Sequence, residues 1–280
     1  MEQAIVSGLY VYPVKSMKGI ALDAATLTAK GLEHDRRWMA VRPDGRFLTQ
    51  RDEPRLALIH TRLDEFGVTL SRDGHGSISI PFASDGGAPL QTRVWQDDCA
   101  ALDEGDEVSR WLSAALGKAE SVRLVRMAAG FERPQSQPQR FGEDTTTVFA
   151  DAAPFLVASE SSLESLNREL QAQGHAPVPM NRFRPNIVVR GLRPFSEHRA
   201  AALAGEGWSI ALVDHCVRCL VTTVDQETAQ RDPAREPYQT LRRLNPAPGE
   251  KSPPAFAQNA VLGSGAGARI AVGAALTLGA

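Results

Sequence analysis

The sequence predicts a β-rich α+β fold, with strands in both halves and a few flanking helices. Three observations carry that expectation. Short β-branched and aromatic runs recur along the whole chain, Gly, Pro and Asp clusters punctuate them closely, and helical periodicity appears in only three segments. AIVSGLYVYPV alternates in part and stops at Pro13, and ALDAATLTAKGLEHD ends in a glycine turn. RRWMAVRPDGRFLTQRD reads as a hairpin with Pro43-Asp44-Gly45 as its turn. RLALIHTRLDEFGVTLSRDGHGSISIPF repeats the pattern, with turns at Asp64–Gly67 and Arg72–Gly76. Strands this short and this regularly punctuated predict an antiparallel barrel or sandwich. One helix interrupts them: EVSRWLSAALG places Val108, Trp111, Leu112 and Ala115 on one face and ends at Gly117.

Residues 126–145 are polar and carry two prolines without periodicity, which predicts a long loop or linker. The expected division is therefore a domain over 1–125, a linker over 126–145 and a second domain over 146–280. In the second, FADAAPFLVASE reads as a buried strand. SSLESLNREL reads as a helix with Ser161 and Glu164 at capping-box spacing and Leu163, Leu166 and Leu170 along one face. RPNIVV, WSIALVDH and CLVTTVD are strand-like, REPYQTLRRLN is a short helix, and AGARIAVGAALTLGA is a glycine-punctuated strand pair.

The chain has 280 residues, and its 31 Lys and Arg against 33 Asp and Glu give a net charge of −2. That balance makes no electrostatic case for a nucleic-acid polymer or a membrane as partner. The N-terminus lacks a signal-peptide pattern, and no window approaches the roughly 18 apolar residues of a membrane span. A cytoplasmic location is the expectation. Three cysteines, Cys99, Cys216 and Cys219, are too few and odd for a disulfide framework.

Four segments are candidate chemistry. HCVRCLVTTVD carries Cys216-x-x-Cys219 after His215. It falls short of a zinc site, which needs four ligands, and a thioredoxin-type pair would open a helix rather than a β-branched run. Two readings stay open: two small buried hydrophobes, or one thiolate on a soft metal whose other ligands come from a cofactor, with Arg218 favouring an anion nearby. YPVKSMKG offers Lys15, Ser16 and Lys18 on a loop suited to a phosphate, or to a plain surface turn. In GLEHDRRWMAV, Arg36 and Arg37 point to opposite faces if the segment is a strand, and a surface ion pair with Asp35 is the alternative. In NRFRPNIVV, strand alternation puts Arg182, Arg184 and Asn186 on one face, either as an anion clamp with an amide for a heterocycle or as an exposed strand face. No GxGxxG, GxSxG or HExxH motif is present.

Together and in this order these segments resemble the MOSC-domain molybdenum proteins. YPVKSMKG, GLEHDRRWMAV and FLTQRDEPRLALI resemble the family's N-terminal β-barrel region. FADAAPFLVASESSLESLN, RFRPNIVV, CVRCLVTTVD and AFAQNAVL resemble the MOSC β-barrel domain itself. The resemblance implies a molybdenum cofactor, a pyranopterin dithiolene with a terminal phosphate, and Cys219 as its single protein metal ligand. It implies Lys15, Ser16 and Arg36 at the phosphate end, Arg184, Asn186 and Arg218 at pterin and phosphate, and Asp151 and Arg182 as further contacts. Cys216 becomes a structural neighbour. The implied activity is reduction of small N-hydroxylated compounds (amidoximes, hydroxylamines, N-hydroxylated bases), with two electrons and two protons releasing water. The electrons would come from an external donor protein of ferredoxin, flavodoxin or cytochrome b5 type. The alternative is a cofactor carrier or sulfur-transfer protein; no pyridoxal-enzyme segment accompanies the motifs, so pyridoxal phosphate is not expected. Two departures stand out: Gln226-Glu227-Thr228-Ala229 replaces the family's Pro-x-Thr-Gly after TTVD, and Ala257 stands where a glycine is common.

Overall fold

A computed structural model describes residues 3–83 and 87–279. Its centre is a closed barrel of seven strands: Gln3–Val11, Phe155–Ser159, Ile187–Arg190, Ala202–Gly205, Trp208–Val217, Ala255–Ser264 and Ala275–Gly279. Six come from the second half of the chain. The seventh, Gln3–Val11, closes the ring between Ile187–Arg190 on one side and Ala275–Gly279 on the other. One pair is parallel, Phe155–Ser159 with Ile187–Arg190, joined by the crossover helix Glu160–Ala172. Inward positions of the ring supply its core, among them Val6, Leu9, Phe155, Val157, Ile187 and Ile210.

The rest of the first half builds antiparallel layers beside the barrel. Trp38–Val41, Arg123–Met127, Asp97–Asp103 and Pro89–Val94 form one sheet, and the meander His60–Leu63, Gly67–Arg72, Gly76–Pro81 another. The turns at 64–67 and 72–76 fall where turn chemistry placed them. Helix Asp106–Ala115 buries Val108, Leu112 and Ala115, with Trp111 packed at the edge. The strand Arg123–Met127 reaches into the polar stretch after residue 125, which also contains the short helix Pro138–Phe141. Among the described residues no helix is long and apolar enough to cross a membrane.

Four local expectations change. Ser161 does not cap its helix. Phe155–Ser159 runs straight into it, Ser159 takes the N-cap position, and its hydroxyl lies 2.8 Å from that of Ser161. LVTTV is not a strand but a 3-10 turn, Leu220–Thr223, closed by Thr222 Oγ1 on Cys219 O at 3.0 Å and Thr223 Oγ1 on Leu220 O at 2.7 Å. These threonines spend their hydroxyls on local carbonyls instead of a ladder. RFR is not extended either: Met180–Arg182 is a 3-10 turn and Arg184 has φ 55, so strand alternation does not govern it. In the tail, Arg269–Ala271 pairs with Ala24–Thr28 and Ala275–Gly279 with the barrel, so the two strands are not each other's partners.

Candidate functional site

The site lies where the loop after Gln3–Val11 meets the loops that follow and precede the barrel strands of the second half. Its organising side chain is Tyr12, 3% exposed, whose hydroxyl donates to Pro185 O at 3.1 Å. Burial pushes its phenol up to about 12, with Arg184 and Arg36 opposing. Both guanidiniums stand over its ring, Arg184 at 4.3 Å and Arg36 at 4.5 Å from the centroid. Arg36 pairs with buried Asp35, so the expected ion pair exists but in the interior rather than at the surface. Arg37 turns the other way, donating to Phe82 O at 2.9 Å. Asn186 spends its amide internally: Oδ1 accepts from Arg36 Nη1 at 3.1 Å and Leu156 N at 3.2 Å, and Nδ2 donates to Tyr10 O at 3.2 Å. It holds Arg36 in place and ties two barrel strands together.

Lys15 is buried, and its ammonium donates to Phe149 O and Asp151 Oδ1, each at 2.7 Å. Burial holds that ammonium below its ordinary pKa, with Asp151 pulling back. Desolvation in the packed cleft opposes the charge of Asp151, and the Lys15 ammonium outweighs it, holding the carboxyl well below the usual range. The Asp151 side chain stays 66% open to solvent and also accepts from Trp95 Nε1 at 3.1 Å. Burial lowers Arg184 to about 10, and its Nη2 has no hydrogen-bond partner among the described residues. Ser16, Arg36 and Arg184 all adopt left-handed backbone, with φ 68, 47 and 55. Such conformations cost non-glycine residues free energy and persist where packing enforces them.

The cysteine pair is unequal. Cys216, on the strand Trp208–Val217, packs into the core around Phe183 and Phe256 and accepts from Arg218 Nη1 at 2.8 Å. Burial pushes its thiol up, with Arg218 opposing. Cys219 is free and exposed, just past the strand end. Arg218 lies between them, donates to Phe183 O at 2.9 Å and keeps a buried Nε without a hydrogen-bond partner among the described residues. Arg182 points to the TTVD turn, bonding Asp225 Oδ2 at 2.9 Å and Thr222 O at 3.3 Å. Lys15, Arg36, Asp151 and Arg184 thus form one basic cluster within electrostatic reach of each other, and Asp151 is also felt at Cys216. Arg182 braces the far wall. Lys18 pairs with Glu227 at 2.5 Å.

Against family models, residues 3–119 match the MOSC N-terminal beta barrel domain and residues 144–276 match the MOSC domain. A mitochondrial amidoxime-reducing component 1 of Mus musculus is 36% identical over 245 residues, covering 85% of this chain and 70% of that protein. The chain belongs to the MOSC-domain family. A mitochondrial amidoxime reducing component 2 of Bos taurus is 32% identical over 88% of this chain and 74% of its own length, and component 1 of Homo sapiens 32% identical over 85% and 71%.

Both departures from the MOSC pattern have structural signatures. Ala229 and Ala257 sit at φ 58 and 68, where glycine fits without strain. Gln226 forms a reciprocal amide pair with Gln50, at 3.0 and 2.9 Å, that a proline could not make. Sequence reading missed the wall beside Cys219. A cavity of about 630 Å³ opens there, with Arg51, Arg231, Arg235 and Tyr238 in its lining. Arg51 stands 4.4 Å from the Trp95 ring centroid. The signals were QRDPAREP and FLTQRDEP, in which no periodicity marks the arginines.

Proposed function

We propose that this chain is a molybdenum-cofactor-dependent oxidoreductase that reduces N-hydroxylated compounds, with electrons from a separate redox protein. The observation that carries this reading is one exposed thiol, Cys219, next in sequence to Arg218, whose buried Nε lacks a hydrogen-bond partner among the described residues, as does Arg184 Nη2. Buried donors of this kind cost free energy unless an acceptor reaches them, and a pyranopterin phosphate offers several. The donor set fits as well. Among the described residues no group of three His, Cys, Asp or Glu is placed to hold a metal ion. A dithiolene brings two sulfurs of its own, so a single thiolate suffices.

Lys15, Ser16 and Arg36 would hold the phosphate end, and Arg184 and Arg218 would reach both pterin and phosphate. Asn186 fixes Arg36, and Arg182 fixes the turn that follows Cys219. When bound, the cofactor supplies the two-electron redox centre. The chain binds and orients: Tyr12 carries two guanidiniums over its ring, and Lys15 with Asp151 keeps one balanced charge pair in the cluster.

The test is metal and pterin analysis of protein made with cofactor biosynthesis intact, followed by benzamidoxime reduction with an artificial donor. Cys219→Ala is expected to lose metal retention and activity, and Cys216→Ala to keep much of both. Stoichiometric zinc without pterin, or equal loss in the two variants, sinks the reading. Full cofactor content without reduction would favour a carrier instead.

A further inference from the structure

The cavity beside Cys219 carries more positive charge than its own contacts neutralise. Arg51, Arg218, Arg231 and Arg235 line it against one acid, Asp232. Asp232 Oδ1 is engaged by Glu236 N at 2.9 Å. Arg218 is committed to Phe183 O and Cys216, and Arg51 to the Trp95 ring. Arg231 spends only Nη2, on the carbonyls of Gln50 and Arg51. The Arg235 guanidinium makes no hydrogen bond or ion pair among the described residues, and both Arg231 and Arg235 are exposed.

The rest of the lining is apolar. Val217 and Leu220, on either side of Cys219 in sequence, are 52% and 45% exposed, among the few large hydrophobic side chains left open to solvent. Tyr238, Pro233 and Pro253 extend that surface. A cavity of about 630 Å³ falls within the range of small-molecule sites, roughly 300–1,000 Å³. Apolar walls at the thiol, with the Arg235 guanidinium and the remaining N–H groups of Arg231 beside them, match a molecule with an apolar body and an anionic end.

We propose that this site selects N-hydroxylated substrates that carry a carboxylate, with the apolar body against Val217, Leu220 and Tyr238 and the carboxylate held by Arg231 and Arg235. The proposal rests on the reading of Cys219 as metal ligand given above. The reaction is unchanged in its balance: the N–O bond breaks, two electrons from a reduced viologen and two protons are consumed, and water and the N–H product leave. Arg231 and Arg235 enter as specificity-determining contacts only.

The test uses holoenzyme of measured molybdenum content with reduced viologen as donor. 4-Carboxybenzamidoxime is expected to exceed benzamidoxime in kcat/KM by about tenfold or more, as a charge-assisted hydrogen bond allows, and the advantage should shrink with added salt. The Arg231→Gln/Arg235→Gln variant should lose that ratio. A readout independent of turnover is calorimetric binding of the product 4-carboxybenzamidine against benzamidine, with the same preference and the same loss. Equal KM and equal binding for both pairs overturn the proposal, as does a ratio that survives in the variant. A variant that changes only the KM for a protein electron donor overturns it too, in favour of an acidic redox partner at this rim. If holoenzyme with full cofactor reduces neither amidoxime, the reductase reading itself fails, and this inference with it.

Discussion

At Glu197, burial outweighs hydrogen bonding. The carboxylate is fully buried and accepts from Ser162 Oγ at 2.7 and 2.9 Å. Burial nonetheless pushes it up from 4.5 to about 7, with Ser162 opposing. A folded value above the unfolded one means the native state binds more protons across that window. The contribution to stability is full below pH 4.5 and is lost as pH rises through about 7. Neighbouring His198, pushed down by burial to about 4, contributes with the opposite pH trend, so Glu197 is isolated by difference. Glu197→Gln removes the titration and keeps an acceptor for Ser162. Urea unfolding of both proteins at pH 5.5 and 8 should show the variant's relative stability growing with pH, by about 2 kcal/mol; a pH-independent difference counts against this account. The left-handed alanines are a second residue-scale case. Ala229→Gly should raise stability by about 0.5–1 kcal/mol, since glycine avoids the left-handed penalty but costs some chain entropy. Ala257→Gly should give less, because Ala257 is completely buried and its methyl is lost from the core. Thermal unfolding of the two variants measures both.

At the scale of elements, the turn after Cys219 is held from two directions. Arg182 fastens Asp225 from one side, and the Gln50–Gln226 pair fastens the next residue to the loop of the first half that also touches Ser16 O at 2.8 Å. Gln226→Ala leaves a buried Gln50 oxygen without its donor, at a cost of about 1–3 kcal/mol. The double variant with Gln50→Ala should cost less than the two singles summed, in a cycle measured by denaturant unfolding. Strict additivity would show that the pair does not couple the segments. The strands and helices of this protein were readable because alternation, turn residues and the 3.6-residue period leave marks in the sequence. The cleft was readable only through the resemblance of whole motifs. Ser16, Arg36 and Arg184 occupy left-handed backbone, which carries no period, and the alternation argument failed at RFR for that reason. Arg231 and Arg235 stayed invisible because nothing local says which cavity an irregular loop will line.

The whole molecule depends on one strand crossing the division that composition suggests. Gln3–Val11 closes the barrel of the second half while the loop after it, carrying Val14 and Met17, packs into the core of the first. A fragment of residues 144–279 therefore lacks a barrel wall and presents the unpaired edges of Ile187–Arg190 and Ala275–Gly279. It is expected to show strand content in far-UV circular dichroism without a fixed near-UV signal, and to gain that signal when co-produced with residues 1–125. A cooperative unfolding transition for the fragment alone would contradict this.

The same closure sets an order of events during synthesis. Gln3 lies opposite Thr277, so the edge of Gln3–Ile5 that faces it stays open after synthesis until the far end of the barrel follows it out, although Ile20–Leu22 and Ile187–Arg190 pair with the rest of the strand sooner. At about 5–20 residues per second, that interval lasts on the order of tens of seconds. Throughout it, open backbone groups on an apolar strand are offered to whatever strand comes near, so yield in the cell should depend on how well chaperones shield that edge.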